Sequence, residues 1–472
     1  MSDKPRLLVL GAGPGGYPAA FLGADNGYDV TLVDLDEQPG GVCLHRGCIP
    51  SKALLHIAKS LTEVKDAARF GVTFGEPKVD LERLRAWKDS VVNKMTGGLS
   101  VLAKVRQVTQ IQGRGKFIDD HHLLVELNDG GAKTVEFDYA VIATGSVPVT
   151  LGSLFPKSEN VIDSTGALEV PDIPKTLLVV GGGYIGLELG SVYSALGSKV
   201  TVVEATSELL RGVADRDLLD ILEKSLRERF HEILLSTKVT EAREVEGGVE
   251  VKLVGLDLKD PVRTFDKVLV AIGRKPTSAN LGVEELGIQI DDHGFIKVDG
   301  QRRTAVPHIF AIGDVAGQPM LAHKATYEAR IAVEAIQGKP TAYDPQAIPA
   351  VVFTDPEVAW AGLTEGEART LNLPHKVTRF PWAASGRATT LARNDGLTKM
   401  ILDPQTERIL GMAIVGVGAG EMIAEGVLAI EMGAQASDIM MSIHAHPTLS
   451  ETVMEAAELH FGHTPHLVQR GR

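Results

Sequence analysis

Two short, continuously apolar runs mark the chain. One is residues 7–10 of the predicted strand Arg6–Leu10; the other covers residues 177–180. Each breaks into a glycine cluster and then into a helix of small residues. Apolar runs of this length, with no polar alternation, predict strands buried on both faces of a parallel sheet. Each glycine cluster leads on to a second apolar run, at residues 30–33 and 200–203, that ends in an acid. The predicted unit is strand–helix–strand, made twice. Between them, Leu54, Leu55, Ala58, Leu61, Val64 and Ala68 recur at helical spacing. Beyond residue 346, strand-like runs (351–354, 398–402, 409–415) precede helix-like ones (421–432, 436–442), which predicts an α+β unit.

The glycine clusters carry chemistry. Gly11-Ala12-Gly13-Pro14-Gly15-Gly16 and Gly181-Gly182-Gly183-Tyr184-Ile185-Gly186 both fit the dinucleotide fingerprint. Its glycines serve a tight turn, close approach of a pyrophosphate, and helix packing. Gly11, Gly13, Gly16 and Asp34 each recur 170 positions later, as Gly181, Gly183, Gly186 and Glu204. Each half closes on an apolar strand and small-residue turn, ending at Gly145 and Gly273, but that offset is 128, so the first half holds 42 extra residues. The expectation is two nucleotide sites, with Asp34 and Glu204 facing the ribose hydroxyls. Glu204 meets any added 2′-phosphate: like charges about 4 Å apart repel by about 4 kcal/mol at an effective dielectric near 20. NAD is therefore expected over NADP. A third glycine turn, Gly313-Asp314, offers a carboxylate that either meets a nucleotide hydroxyl or caps a turn.

Near the start of the extra stretch lie the chain's only two cysteines, Cys43 and Cys48. A secreted disulfide scaffold has more, spread along the chain. A closed zinc site needs two further ligands from elsewhere, so no metal is expected. Pro50 and Ser51 signal a helix start, which puts Cys48 at a helix N-terminus with Lys52 one turn on. Both favour the thiolate. A base for thiol chemistry is available in His444-Ala445-His446-Pro447, with Glu451 nearby; the sequence pattern does not choose between the two histidines.

At 472 residues the chain predicts roughly three units. The net charge of −13 argues against nucleic acid or an anionic membrane as the main partner. Neither a secretory signal nor an apolar stretch of about 20 residues is visible, which predicts a cytoplasmic protein without a membrane span.

Together these residues resemble the pyridine nucleotide–disulfide oxidoreductase family, and within it the dihydrolipoamide dehydrogenase branch. The glycine clusters, Cys43 to Lys52, Ala143-Thr144-Gly145, Gly313-Asp314, Met320 to His323, and His446 to Glu451 fall in that family's order across the whole chain. The resemblance implies an α/β fold with two Rossmann-like dinucleotide-binding domains and a C-terminal α+β dimerisation domain. The boundaries are 1–150 for FAD binding, 151–273 for NAD binding, 274–346 for a central domain completing the FAD site, and 347–472 for the interface. FAD is expected on Gly11, Gly13, Gly16, Asp34, Lys52, Gly115, Thr144, Gly145, Ser146, Asp314, Met320, Leu321, Ala322 and His323. NAD is expected on Gly181, Gly183, Gly186, Glu188, Glu204, Val239 and Gly273, with Glu188 also pairing with Lys52. Cys48 is implied to face the flavin, Cys43 to exchange with substrate, and His446, oriented by Glu451, to be the base.

In that family the base comes from the partner subunit, so an obligate homodimer is implied. The implied activity is NAD-dependent oxidation of dihydrolipoamide. The implied partner is a lipoyl-bearing acyltransferase or carrier protein of a 2-oxoacid dehydrogenase or glycine cleavage complex. A glutathione reductase-like enzyme needs arginines on an NADP ribose, and a purely redox-sensing flavoprotein needs neither His446 nor Glu451. One departure stands out: His45-Arg46 replaces an uncharged pair, and the two cations are expected to favour thiolates and ease reduction of the disulfide.

Overall fold

The computed structural model describes residues 4–256 and 258–467. Its first sheet is seven-stranded. In spatial order it runs Ile309–Ala311, Tyr139–Ile142, Arg6–Leu10, Asp29–Asp34, Thr109–Phe117, His122–Leu127, Ala132–Glu136. The first five strands are parallel and the last two turn back antiparallel. Leu7, Leu8, Val9 and Leu10 are all buried, as expected of a strand covered on both faces. The strand Ile309–Ala311 arrives only after the chain has built its second sheet. Its carboxyl end therefore sets the Gly313 turn beside Ala143.

The second sheet repeats the plan with parallel strands Glu232–Leu234, Lys199–Val203, Thr176–Val180, Lys267–Val270 and Val161–Ile162. An antiparallel trio, Lys238–Val245, Gly248–Val254 and Val262–Phe265, lies beside it. The internal repeat thus extends further than the glycine motifs show, since each half also carries an antiparallel addition. The extra stretch of the first half is helical: Gly41–Arg46, Cys48–Asp66 and Leu81–Val105. It bridges the two halves, with Lys88 Nζ donating to Leu168 O at 3.1 Å and Arg85 to Val170 O at 3.2 Å.

The last unit is a five-stranded antiparallel sheet, Ala350–Val352, Glu357–Gly362, Ile409–Gly416, Leu397–Leu402 and Lys376–Pro381, backed by helices Ala419–Glu431 and Glu451–Glu458. Its attachment to the second sheet is electrostatic as well as apolar. Lys399, fully buried, meets carboxylates of Asp215 at 2.8 Å, Asp217 at 3.0 Å and Glu365 at 2.7 Å. One buried ammonium among three carboxylates, with Arg379 alongside, offsets charges that would each be costly alone. Among the described residues no helix is long and apolar enough to cross a membrane.

Candidate active site

The two cysteines are carried on the glycine loop itself. Gly40 N donates to Ala12 O at 2.8 Å, and a Cβ on Gly41 would come within 2.5 Å of Gly13 Cα. Gly41 has φ +56°, so both crowding and backbone require glycine here. From that anchor the short helix Gly41–Arg46 presents Cys43, and the next begins at Cys48. Both cysteines are free in this structure.

The pair is split electrostatically. The hydrogen bond to Cys48 and burial hold the Cys43 thiol protonated. Cys48 is lowered to about 7, first by the Cys43 donor and then by the Lys52 charge, against an opposing push from burial. Cys48 is surface-accessible yet enclosed by protein on most sides. The two facts agree because it lines a cavity that protein walls surround on most sides. A depressed thiol pKa means the thiolate is present above that value and lost as pH falls through it. In the dithiol enzyme, ultraviolet thiolate absorbance is therefore expected to rise with a midpoint near pH 7. Titration only near the ordinary free-thiol value of about 8.5 would refute this splitting.

Lys52 Nζ lies 2.8 Å from buried Glu188 Oε2 and 4.4 Å above the Phe353 ring. Glu188 also accepts from Ser51 Oγ and Phe353 N, both at 3.0 Å. One carboxylate thereby ties together the cysteine helix, the second glycine helix and the C-terminal sheet. Arg46, expected to bias the thiols, is instead paired with Asp36, and His45 Nε2 engages Gln38 O at 2.9 Å. Its carboxylate partner screens Arg46, and Lys52 is the cation acting on the sulfurs. The sequence did not show this because Asp36 looks like an ordinary loop acid.

The cavity, of about 390 Å³, is lined by Gly11, Gly13, Asp34, both cysteines, Lys52, Gly115, Thr144, Gly145, Ser146, Asp314, Met320 and Ala322. Gly16 sits beneath the loop, where a Cβ would fall 1.7 Å from Gly11 O. Leu321 and His323 are outside the lining, and His323 Nε2 instead engages Pro349 O at 2.7 Å. Ser51, Tyr184, Glu188 and Arg274 line the cavity as well. Tyr184 occupies a variable position of the second glycine motif, so its place was readable only as a non-glycine residue between required ones. Burial raises its hydroxyl to about 12. Arg274 holds Ser146 (Nε to Oγ 2.8 Å), which donates to Asp314 at 2.5 Å.

The two glycine loops match down to individual hydrogen bonds. Ala12 N and Asp36 N donate to Asp34 at 2.5 and 2.8 Å; Gly182 N and Thr206 N donate to Glu204, each at 2.7 Å. The outer glycines have protein reasons. Added Cβ atoms on Gly11 and Gly181 would strike Ala143 O and Ala271 O at 2.3 and 2.4 Å, and one on Gly186 would strike Gly181 O at 2.3 Å. The middle glycines do not: Gly13 meets nothing closer than 3.9 Å and Gly183 nothing within 4 Å. Space with no protein neighbour at both middle positions fits a pyrophosphate lying over each loop. Gly273, at φ +129°, faces open space near the second loop, whereas Val239 packs against the core of the antiparallel trio.

His446 Nδ1 engages Glu451 Oε1 at 2.9 Å, and Glu451 Oε2 accepts from Thr448 N at 2.8 Å. Burial pushes Glu451 up, but the bonds from Thr448 N and His446 prevail and keep its carboxyl below its usual range. His446 is 75% exposed and its Nε2 has no partner among the described residues. His444 is 8% exposed with both ring nitrogens engaged, by Ser442 O and Glu425. Only His446 has a nitrogen to offer. It does not line the cavity of its own chain. Beside it on the surface lie Met441, 76% exposed, and Ile443, fully exposed.

Two nucleotide loops, a dithiol on one of them and a free imidazole on a separate unit define a dithiol–nucleotide oxidoreductase, and the comparisons give that class its family. The chain belongs to the pyridine nucleotide-disulphide oxidoreductases: that family's model matches residues 5–329, and its dimerisation domain matches 348–457. It is an oxidoreductase working with FAD and NAD. Among curated proteins it is 49% identical to a dihydrolipoyl dehydrogenase of Vibrio parahaemolyticus over 459 residues, covering 97% of this chain and 96% of that one. It is 43% identical to the dihydrolipoyl dehydrogenase of Geobacillus stearothermophilus, covering 99% and 98%. Among solved structures it matches LpdA from Mycobacterium tuberculosis with TM-score 0.89 and 27% identity, covering 96% of this chain and 99% of that one. It also matches the HOCl-induced flavoprotein disulfide reductase RclA from Escherichia coli with TM-score 0.84 and 29% identity, covering 96% and 99%.

Proposed function

We propose that this chain oxidises dihydrolipoamide to lipoamide and delivers the electron pair to NAD+, through a disulfide formed and broken between Cys43 and Cys48. The observation that carries this reading is that both cysteines line one cavity with the Gly13 loop, Lys52 and Asp314. Gly11, Gly13, Gly115, Asp314 and the Thr144 turn would hold FAD; Gly181, Gly183 and Glu204 would hold NAD. FAD, when bound, relays the electron pair between the thiols and NAD+.

The chain's own residues handle sulfur and protons. With the disulfide formed, a substrate thiolate, its proton taken by His446 Nε2, attacks Cys43 Sγ. The bond between Cys43 and Cys48 breaks, and Cys48 leaves as the thiolate that Lys52 favours. The substrate's second sulfur then displaces Cys43, closing lipoamide and leaving a reduced pair. Glu451 holds the imidazole's Nδ1 so that Nε2 is the working nitrogen.

Since His446 does not line its own chain's cavity, the base is supplied by the partner of a homodimer, and the surface of Met441 and Ile443 belongs to that interface. The dithiol carrier is a separate lipoyl-bearing protein of a 2-oxoacid dehydrogenase or glycine cleavage complex. The FAD-loaded enzyme is expected to reduce NAD+ with dihydrolipoamide and to ignore glutathione. Turnover of glutathione disulfide without lipoamide activity would overturn the assignment.

Nucleotide choice follows from Glu204, whose carboxylate is fixed by Gly182 N and Thr206 at the end of strand Lys199–Val203. The expected preference for NAD+ over NADP+ in kcat/KM exceeds about a hundredfold. Glu204→Ala is expected to narrow it. An unchanged ratio in that variant would show that the discrimination lies elsewhere.

A further inference from the structure

Far along the sequence from the cysteines, three groups with metal-binding chemistry meet at the edge of the first sheet. Asp120 and His121 sit in the turn between strands Thr109–Phe117 and His122–Leu127, and His308 immediately precedes strand Ile309–Ala311. The two imidazoles stack with centroids 4.5 Å apart and planes 10° from parallel. One ligand atom from each of Asp120, His121 and His308 lies within 4.8 Å of the others. None of the three lines the cavity of the thiols.

Hydrogen bonding decides which nitrogens are free. His121 Nδ1 lies 2.9 Å from Phe137 O and His308 Nε2 lies 2.7 Å from Asp120 O. A carbonyl oxygen only accepts, so those nitrogens carry the protons. Each neutral ring therefore keeps its lone pair on the other nitrogen, His121 Nε2 and His308 Nδ1. Imidazoles that bind metals are oriented in this way, the second nitrogen donating to a carbonyl. The backbone is fixed too: His121 O accepts from Phe137 N at 2.9 Å and His308 O from Ala140 N at 3.0 Å. Neighbouring Asp119 is occupied by His121 N and His122 Nδ1, leaving Asp120 as the available carboxylate.

We propose that Asp120, His121 and His308 form a surface site for a first-row divalent transition ion such as Zn2+, with water completing the coordination. Two imidazoles and one carboxylate suit that class of metal, whereas Mg2+ and Ca2+ select oxygen donors. Metal–ligand bonds of about 2.1 Å require the donors to draw together and the two near-parallel rings, whose lone pairs lie in their planes, to tilt toward a common point. The bound ion would pin the turn to the strand that carries the Gly313-Asp314 corner.

The test is calorimetric titration of Zn2+ into tag-free, chelator-stripped, FAD-loaded enzyme in its disulfide form, so that the thiols do not compete. About one ion per subunit is expected. Affinity should fall roughly tenfold or more in His121→Ala, His308→Ala and Asp120→Asn, with lipoamide turnover of the metal-free variants unchanged. No uptake at millimolar Zn2+, or variants that bind like the parent, would overturn the site. Should either histidine variant fail to retain flavin, Asp120→Asn, at an exposed side chain, decides the question alone.

Discussion

Cys48→Ser is expected to abolish lipoamide-dependent reduction of NAD+, a loss of at least about 10⁴-fold, while retaining FAD. The chain has no third cysteine to take over, and a serine oxygen forms no disulfide. Cys43→Ser is expected to be equally inactive with lipoamide, but its hydroxyl can still donate to Cys48. Cys43→Ala removes the donor that contributes most to lowering Cys48, so the remaining thiol there should titrate at higher pH than in the parent. Flavin content and thiolate absorbance of these variants, measured beside turnover, check this. Appreciable lipoamide activity in either purified serine variant would show that electrons bypass the sulfur pair.

His446→Ala is expected to lower turnover by roughly 10²- to 10⁴-fold, the usual contribution of a positioned general base. The free Nε2 and the fixed Nδ1 distinguish it from His444, whose nitrogens are both spent. Because the imidazole lies outside its own chain's cavity, the defect is expected to complement. Mixed dimers of Cys43→Ser and His446→Ala subunits contain one intact site and should regain part of the parent activity. Verified mixed dimers with none would place the base within a single chain, or elsewhere.

Much of this site was legible in the sequence because its parts are local. The glycine spacing, the acid ending each second strand and the lysine one turn past Cys48 are all set by short-range geometry, and the 170-position offset between the halves is visible without a fold. What stayed hidden depends on contacts between distant segments. Glu188 receives Phe353 N from 165 positions away, and Arg46 is neutralised by an Asp36 that nothing in the sequence marks as its partner. His323 stays outside the cavity because its ring engages Pro349 O, 26 positions further on. The antiparallel strands and the helix Leu81–Val105 are amphipathic and polar-rich, so they lack the strong apolar signal of the central strands.

The most direct test of the central claim counts electrons. Anaerobic titration of the oxidised, FAD-loaded enzyme with dithionite should consume twice the reductant that flavin alone takes. In Cys48→Ser the excess should vanish, leaving the flavin's share. If the parent enzyme takes up no more than its flavin content, the two sulfurs are not a redox pair and the proposed chemistry fails.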